Sequence, residues 1–369
     1  MEAEVFLLSY KRDWWLLSAI TVLIIFGLLM VYSASSVWGE FRFSDPLFFA
    51  KRQSLFVCIG ILLMIVLSKV HYSIFATYSY LLVAGCFLFL ILVLIPGVGL
   101  VRGGAQSWLG VGIFSIQPSE FMKLGLILFL SKRLSMGDID IASWKGLFHM
   151  LLWILAAFGL IMLQPDLGTG TVLVGTCIAI LFVGGASLKH FFVLFLGAVA
   201  GFVALIASAP YRLKRITAFL DPWEDPLGAG FQSIQSLYAV GPGGLLGTGF
   251  GGSRQKHFYL PEPQTDFIFA ITAEELGFIG ACLILLAFFV LFWRGIRIAI
   301  LAPDRFSSYV ATGITSMIMI QVFINISVVI GLMPVTGITL PFFSYGGSSY
   351  TLLLVGLGIL MNISRQIKR

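Results

Sequence analysis

Charge is what this sequence has least of. Only 11% of its 369 residues are Asp, Glu, Lys or Arg, while 59% are hydrophobic; ordinary soluble domains carry about 25% charged residues. A soluble core has no way to hide that much apolar surface, so a soluble globular fold is excluded. Cysteine and histidine are also few, with four of each. Cys58, Cys86, Cys177 and Cys282 lie singly inside apolar runs, with no spacing that reads as a disulfide framework or a zinc site. His71, His149, His190 and His257 are scattered, which argues against a dedicated histidine metal centre. Short alternating segments are missing too, and with them the pattern of a membrane β-barrel.

What is present is a series of apolar runs near the ~20 residues that an α-helix needs to cross a bilayer. They begin near Trp14, Phe48, Ile74, Phe114, Leu147, Gly168, Phe191, Phe267, Tyr309 and Tyr345. The expected fold is therefore an all-α integral membrane protein, a single polytopic bundle of about ten helices. The first run follows Lys11 and Arg12 like a signal peptide, but it is too long for one and reads as a retained helix.

Basic residues set the orientation. The net charge is 23 − 17 = +6, which in a membrane chain reports loops on the cytoplasmic side rather than nucleic-acid binding. Lys11 with Arg12, Lys69, Lys132 with Arg133 and Lys145, Lys189, Arg294 with Arg297 and Arg305, and Arg365 to Arg369 all fall on one side. With an even number of spans, both termini are expected in the cytoplasm. The longest connection, residues 209–266 between the seventh and eighth helices, is then external. This loop carries Arg212, Lys214, Arg215, Arg254 and Lys256 against the charge rule. Long loops cross regardless of charge; the alternative is that external cations meet an anion. Within the loop, Phe231 to Val240 is compatible with a helix, and a glycine run extends from Gly241 to Gly252.

At the end of that loop stands the most informative stretch, from Ser253 to Gly280. Pro261 and Pro263 stiffen the approach, and Asp266 is followed at once by Phe-Ile-Phe-Ala-Ile, which puts its carboxylate at a bilayer boundary. It is either the N-cap of the following helix or a functional group at a membrane edge. Glu274 and Glu275 lie about two turns further on, where a carboxylate needs a partner. Glu120 and Lys123 share one helix face as an expected ion pair. In Gln164-Pro165-Asp166-Leu167-Gly168-Thr169, the aspartate reads as a helix cap. Met333 to Ser349 is irregular backbone at membrane depth, which survives only when it is buried in protein or lines a wet cavity.

The segment from Asn325 through Gly331, Pro334 and Gly337 to Ser344-Tyr345-Gly346-Gly347-Ser348-Ser349 resembles the signature of the SEDS family, named for shape, elongation, division and sporulation. Gln117 to Lys123, Gln164 to Thr169, Pro210 to Pro226 and Leu260 to Gly277 resemble the same family in the same order. The resemblance covers nearly the whole chain and is nearer to the division and sporulation branch than to the rod-shape branch. One departure is that Ala105-Gln106-Ser107 precede Trp108, where many division-type members have a basic residue.

The resemblance implies a peptidoglycan glycosyltransferase that polymerises lipid II at the outer face of the cytoplasmic membrane. Its implied partners are a class B penicillin-binding protein and other division or sporulation membrane proteins. The family's catalytic aspartate falls on Asp266, expected here as the general base. Arg212, Arg215, Arg254 and Lys256 are expected to stabilise the departing pyrophosphate, and Glu120, Lys123 and Ser344 to meet substrate. A divalent cation, Mg or Mn, is allowed as a further counter-ion, though no ligand set is evident. Two rival roles fit the same composition: a flippase for the lipid-linked precursor, and a non-catalytic scaffold for the crosslinking partner.

Overall fold

The computed structural model describes residues 13–102, 105–111, 114–207, 219–228 and 230–367. The described chain is mostly helical. The helices are α1 (Trp14–Phe43), α2 (Phe48–Leu67), α3 (Ser73–Leu94), α4 (Pro118–Ser135), α5 (Trp144–Met162), α6 (Leu167–Val183), α7 (Leu188–Ala207), α8 (Phe231–Val240), α9 (Ile268–Leu301), α10 (Arg305–Val329) and α11 (Gly347–Arg365). Seven of them, α1, α2, α3, α5, α9, α10 and α11, are long and apolar enough to cross a membrane. This is a multi-pass membrane protein.

One expectation needs correction. The fourth apolar run does not enter a helix at Phe114, and the described chain is not purely helical. Leu100–Arg102, Ala105–Val111 and Phe114–Ile116 form a small antiparallel sheet, β1-β2-β3. The helix waits for Pro118, which occupies its first turn, where a missing N–H costs nothing and the fixed φ is already helical.

The least apolar long helix is the most enclosed. α4 carries Glu120, Lys123, Lys132 and Arg133 but is buried along most of its length, packed between α3, α6 and α10. Protein neighbours surround it, and Glu120 and Lys123 pair with each other inside the bundle. Elsewhere the apolar excess faces outward: Ile279, Leu283, Leu286 and Phe289 of α9 are all exposed, as expected where the surrounding solvent is hydrocarbon.

α9 is two half-helices. At Gly277 the backbone turns to φ 68° and ψ −172°, and the glycine-rich loop enters the gap. In an unbroken helix the carbonyls of Glu274 and Glu275 would accept from Phe278 and Ile279. Here they accept from Thr248 N at 2.9 Å and Gly249 N at 3.1 Å, while Phe278 N and Ile279 N donate to Gly244 O and Leu245 O at 2.9 and 3.1 Å. All four groups of these two lost helical bonds are satisfied by the loop. The glycines are needed for close approach: a Cβ on Gly277 would lie 2.2 Å from Gly247 N.

Candidate functional site

Asp266 sits two residues before α9, and the bond pattern excludes a capping role. Phe267 occupies the N-cap position, and no side chain caps that end. The carboxylate is half-buried, with one oxygen 3.6 Å from where a Cβ on Gly337 would stand. Among the described residues no donor bonds to it and no cation pairs with it. Burial raises its pKa to about 6, with smaller contributions from the negative charges of Glu262 and Asp166. A carboxylate that is partly reachable, unpaired and flanked by like charge is costly, and serves structure poorly.

Its backbone, by contrast, is firmly held. Asn325 of α10 donates to Asp266 O at 2.7 Å and to Ile338 O at 2.8 Å. Ser344 Oγ donates to Thr265 O at 2.7 Å and accepts from Leu340 N at 2.7 Å, and Tyr345 N donates to Gln264 O at 2.8 Å. Gln53 of α2 joins in, accepting from Gly346 N at 3.2 Å. The irregular segment between α10 and α11 is therefore the mould against which residues 264–266 are set. Its buried side chains, Leu340, Phe342 and Phe343, anchor it in the core.

Beside this mould lies a cavity lined by Glu120, Gln321, Thr339, Ser344, Ser349 and Tyr350, among others, with a volume of about 20 Å³. That is room for about one water, so a disaccharide does not fit it in this conformation. Glu120 and Lys123 form the expected ion pair at 2.8 Å, nearly shut off from solvent. The Tyr350 hydroxyl and Ser119 Oγ are buried without a partner, which suits an ordered water. Asp266 does not line this cavity; residues 337–344 connect the two.

The expected cations fall into different settings. Arg212 and Arg215 lie outside the described residues. Arg254 is exposed, with its backbone N–H on Glu274 at 2.8 Å. Lys256 is 4% exposed, and its ammonium donates to Gly251 O at 2.6 Å, Glu275 at 3.1 Å and Ser33 Oγ at 3.3 Å. Those bonds use all three of its hydrogens. Glu275 also accepts from Gly251 N and Ser253 N at 3.0 and 3.2 Å, and Glu274 from Ser253 Oγ at 2.5 Å. The intramembrane carboxylates thus have their partner in the loop. Asp166 caps α6, accepting from Thr169 N at 3.0 Å, and also accepts from Gln117 at 2.9 Å. Among the described residues no three His, Cys, Asp or Glu side chains gather as a metal set.

The reading of sequence alone missed Asn325 and Gln53 as holders of the aspartate segment. An amide inside an apolar helix is the signal for both, since it needs a partner at that depth.

Residues 14–369 match the family model described as cell cycle protein, FtsW/RodA/SpoVE. The chain is 63% identical over 352 residues to stage V sporulation protein E of Bacillus subtilis strain 168, covering 95% of this chain and 96% of that protein. It is 41% identical over 348 residues to a probable peptidoglycan glycosyltransferase FtsW of Geobacter sp. strain M18, covering 94% and 95%. Among solved structures it is similar to a chain of a peptidoglycan synthase complex described as coordinating polymerization and crosslinking, with TM-score 0.81, 33% identity and coverage of 97% and 98%. It is also similar to the rod shape determining protein RodA of Thermus thermophilus, with TM-score 0.72, 30% identity and coverage of 98% and 99%. With a match over nearly its whole length and relatives this close, the chain belongs to the FtsW/RodA/SpoVE family of cell cycle proteins.

Proposed function

We propose that this chain is a peptidoglycan glycosyltransferase that joins the disaccharide units of lipid II into glycan strands, with Asp266 as its general base. The observation that carries this reading is the unpaired, half-buried carboxylate whose pKa is raised to about 6 on a backbone held by Asn325 and Ser344. A sugar hydroxyl is a weak nucleophile until its proton is taken. Asp266 removes that proton as the oxygen attacks the anomeric carbon of the donor. The bond from that carbon to the phosphate oxygen breaks, and the lipid pyrophosphate leaves with the electron pair. A base with pKa near the working pH is well matched to this step, which is typically worth ~10²- to 10⁴-fold. One base and direct displacement convert an α-linked donor to a β link.

Of the two expected cations among the described residues, Arg254 is the exposed one and is assigned a share of the leaving charge, since Lys256 is committed to Glu275. The bundle is read as about ten spans with both termini cytoplasmic and residues 209–266 outside, which puts Asp266 at the outer face. A class B penicillin-binding protein is the proposed crosslinking partner.

The test is polymerisation of purified lipid II by the detergent-solubilised protein with that partner present, comparing the native chain with Asp266→Asn. Long strands from the native chain and none from an equally folded variant support the assignment. Equal yields from both remove Asp266 as the base.

A further inference from the structure

Phe342, in the irregular segment between α10 and α11, holds an uncommon backbone. Among the described residues other than glycine, Ser44, Pro165, Phe258, Glu262 and Phe342 have positive φ, and of these Phe342, at 68°, is the buried one. At positive φ the Cβ of an L-residue crowds its own backbone, so glycine, asparagine or aspartate ordinarily stands there. A bulky side chain persists in that region only where its surroundings over-determine it. Three helices do so here. The Phe342 ring centre lies 6.1 Å from that of Phe288 of α9 and meets Tyr350 of α11 edge-on at 6.3 Å. α1 supplies the third wall. A Cβ on Gly27 would stand 2.0 Å from Phe342 O and 2.8 Å from its carbonyl carbon, so the carbonyl packs on the bare Cα of that glycine. Both of those atoms are backbone, which no change of rotamer moves aside.

The turn made at Phe342 is the one that reaches the aspartate segment. Phe343 N and Ser344 N both donate to Leu340 O, at 3.2 and 2.9 Å, which closes residues 340–344 on themselves. That closure brings Ser344 Oγ within 2.7 Å of both Leu340 N and Thr265 O. It also aims Tyr345 N at Gln264 O, 2.8 Å away. The contact with α1 therefore lies two residues from the hydroxyl that holds the neighbour of Asp266.

We infer that Gly27 and Phe342 are positioning residues: the close contact between α1 and the left-handed turn sets residues 264–266, and with them the carboxylate of Asp266. The catalytic consequence rests on the proposed polymerase reading, to which this adds a determinant on the first helix, far from the aspartate in sequence. Neither residue touches substrate in this scheme. A methyl group on Gly27 pushes the Phe342 carbonyl, the turn shifts, and the bonds from Ser344 and Tyr345 to residues 264 and 265 lengthen.

The test is Gly27→Ala in the full-length protein in detergent, with Gly85→Ala of α3 beside it. Gly85 has open space where its Cβ would go, so its variant reports the effect of one methyl group on a membrane helix by itself. Two readouts are taken: hydrogen–deuterium exchange at the amides of Leu340, Ser344 and Tyr345, and steady-state strand synthesis from lipid II with the crosslinking partner present. Gly27→Ala is expected to exchange faster at those amides and to lose about 10- to 100-fold in turnover number, the scale of a small misplacement of a reacting group, with KM little changed. Gly85→Ala is expected to match native protein in both. Should Gly27→Ala fail to fold, Phe342→Leu takes its place; it keeps an apolar side chain, gives up both ring contacts, and is expected to show the same two effects with a smaller loss of turnover. A folded variant with native exchange overturns the inference, whatever its turnover, and so do loosened amides with native turnover. A native chain that makes no strands removes the polymerase reading, and exchange then decides by itself whether Gly27 sets the turn and residues 264–266.

Discussion

Asn325 holds Asp266 by its backbone rather than its side chain, donating to the aspartate's carbonyl at 2.7 Å. The same amide nitrogen bonds Ile338 O at 2.8 Å, so one buried side chain fixes both the segment that carries the carboxylate and the wall beside it. The carboxylate is left free for chemistry. In the proposed mechanism, position and reactivity thereby fall to different residues.

Replacing Asn325 with Ala therefore acts on catalysis through geometry. It removes two hydrogen bonds and strands the buried Ile338 carbonyl, at a cost of about 1–3 kcal/mol in stability. With Asp266 as the proposed base, the turnover number is expected to fall by more than KM changes, because that carboxylate is misplaced while lipid contacts persist. Steady-state kinetics with lipid II, beside thermal unfolding, separate the two effects.

If Asp266 is the base, as proposed, it sets the pH profile. Its pKa is raised to about 6, first by burial and then by Glu262 and Asp166, and only the ionised form takes a proton. Activity is expected to fall about tenfold per pH unit below that value. Glu262→Gln removes one like charge and is expected to move this limb to lower pH. Stability has the opposite sign. The folded state binds a proton more tightly than the unfolded chain, so this group's contribution is most favourable at low pH and declines as pH rises through about 6. An activity limb that stays put in Glu262→Gln argues against Asp266 as its source.

The splice at Gly277 predicts a large effect from one methyl group. Gly277→Ala puts a Cβ 2.2 Å from Gly247 N, at a backbone φ of 68°; both the clash and the conformation oppose it. The loop must leave the gap, stranding the carbonyls of Glu274 and Glu275 or forcing the helix to close. Loss of the folded, detergent-stable protein, or a Tm lower by many degrees, is expected. An alanine variant with native Tm contradicts the splice.

Much of this was legible in the sequence. Apolar runs beginning near Trp14, Phe48 and Phe267 mark helices that start within two residues of those points, because an apolar run of bilayer length is a strong signal for a helix. The polar stretch from Phe231 to Val240 is α8, and Asp166 caps α6, since both are local matters. What was not legible is what depends on distant partners. Nothing near Gly277 announces that residues 244–249 complete its helix, and the role of Gln53 appears only once α2 lies against the start of α11. The sheet of Leu100–Arg102, Ala105–Val111 and Phe114–Ile116 was hidden because its last strand leads straight into α4. Lys256 read as an external cation for substrate, whereas its ammonium is bonded to Glu275, a pairing set by tertiary structure.

That pairing supports a last prediction. Lys256 and Glu275 lie 3.1 Å apart, both almost wholly buried, and Glu275 also receives two loop amides and Ser33 Oγ of α1. Lys256→Met leaves the carboxylate buried without its cation, and breaking a buried pair on one side typically costs about 3–5 kcal/mol. Glu275→Gln leaves the ammonium uncompensated and is expected to cost a similar amount. The double variant removes both charges and is expected to recover part of the loss, so the sum of the single effects exceeds that of the pair. Thermal unfolding of the four proteins closes the cycle. If Lys256 instead serves the substrate, Lys256→Met raises KM with little change in Tm, and no coupling to Glu275 appears. A coupling of more than about 1 kcal/mol places the lysine in the scaffold that ties the loop to α1 and α9, and leaves binding of the leaving group to other cations.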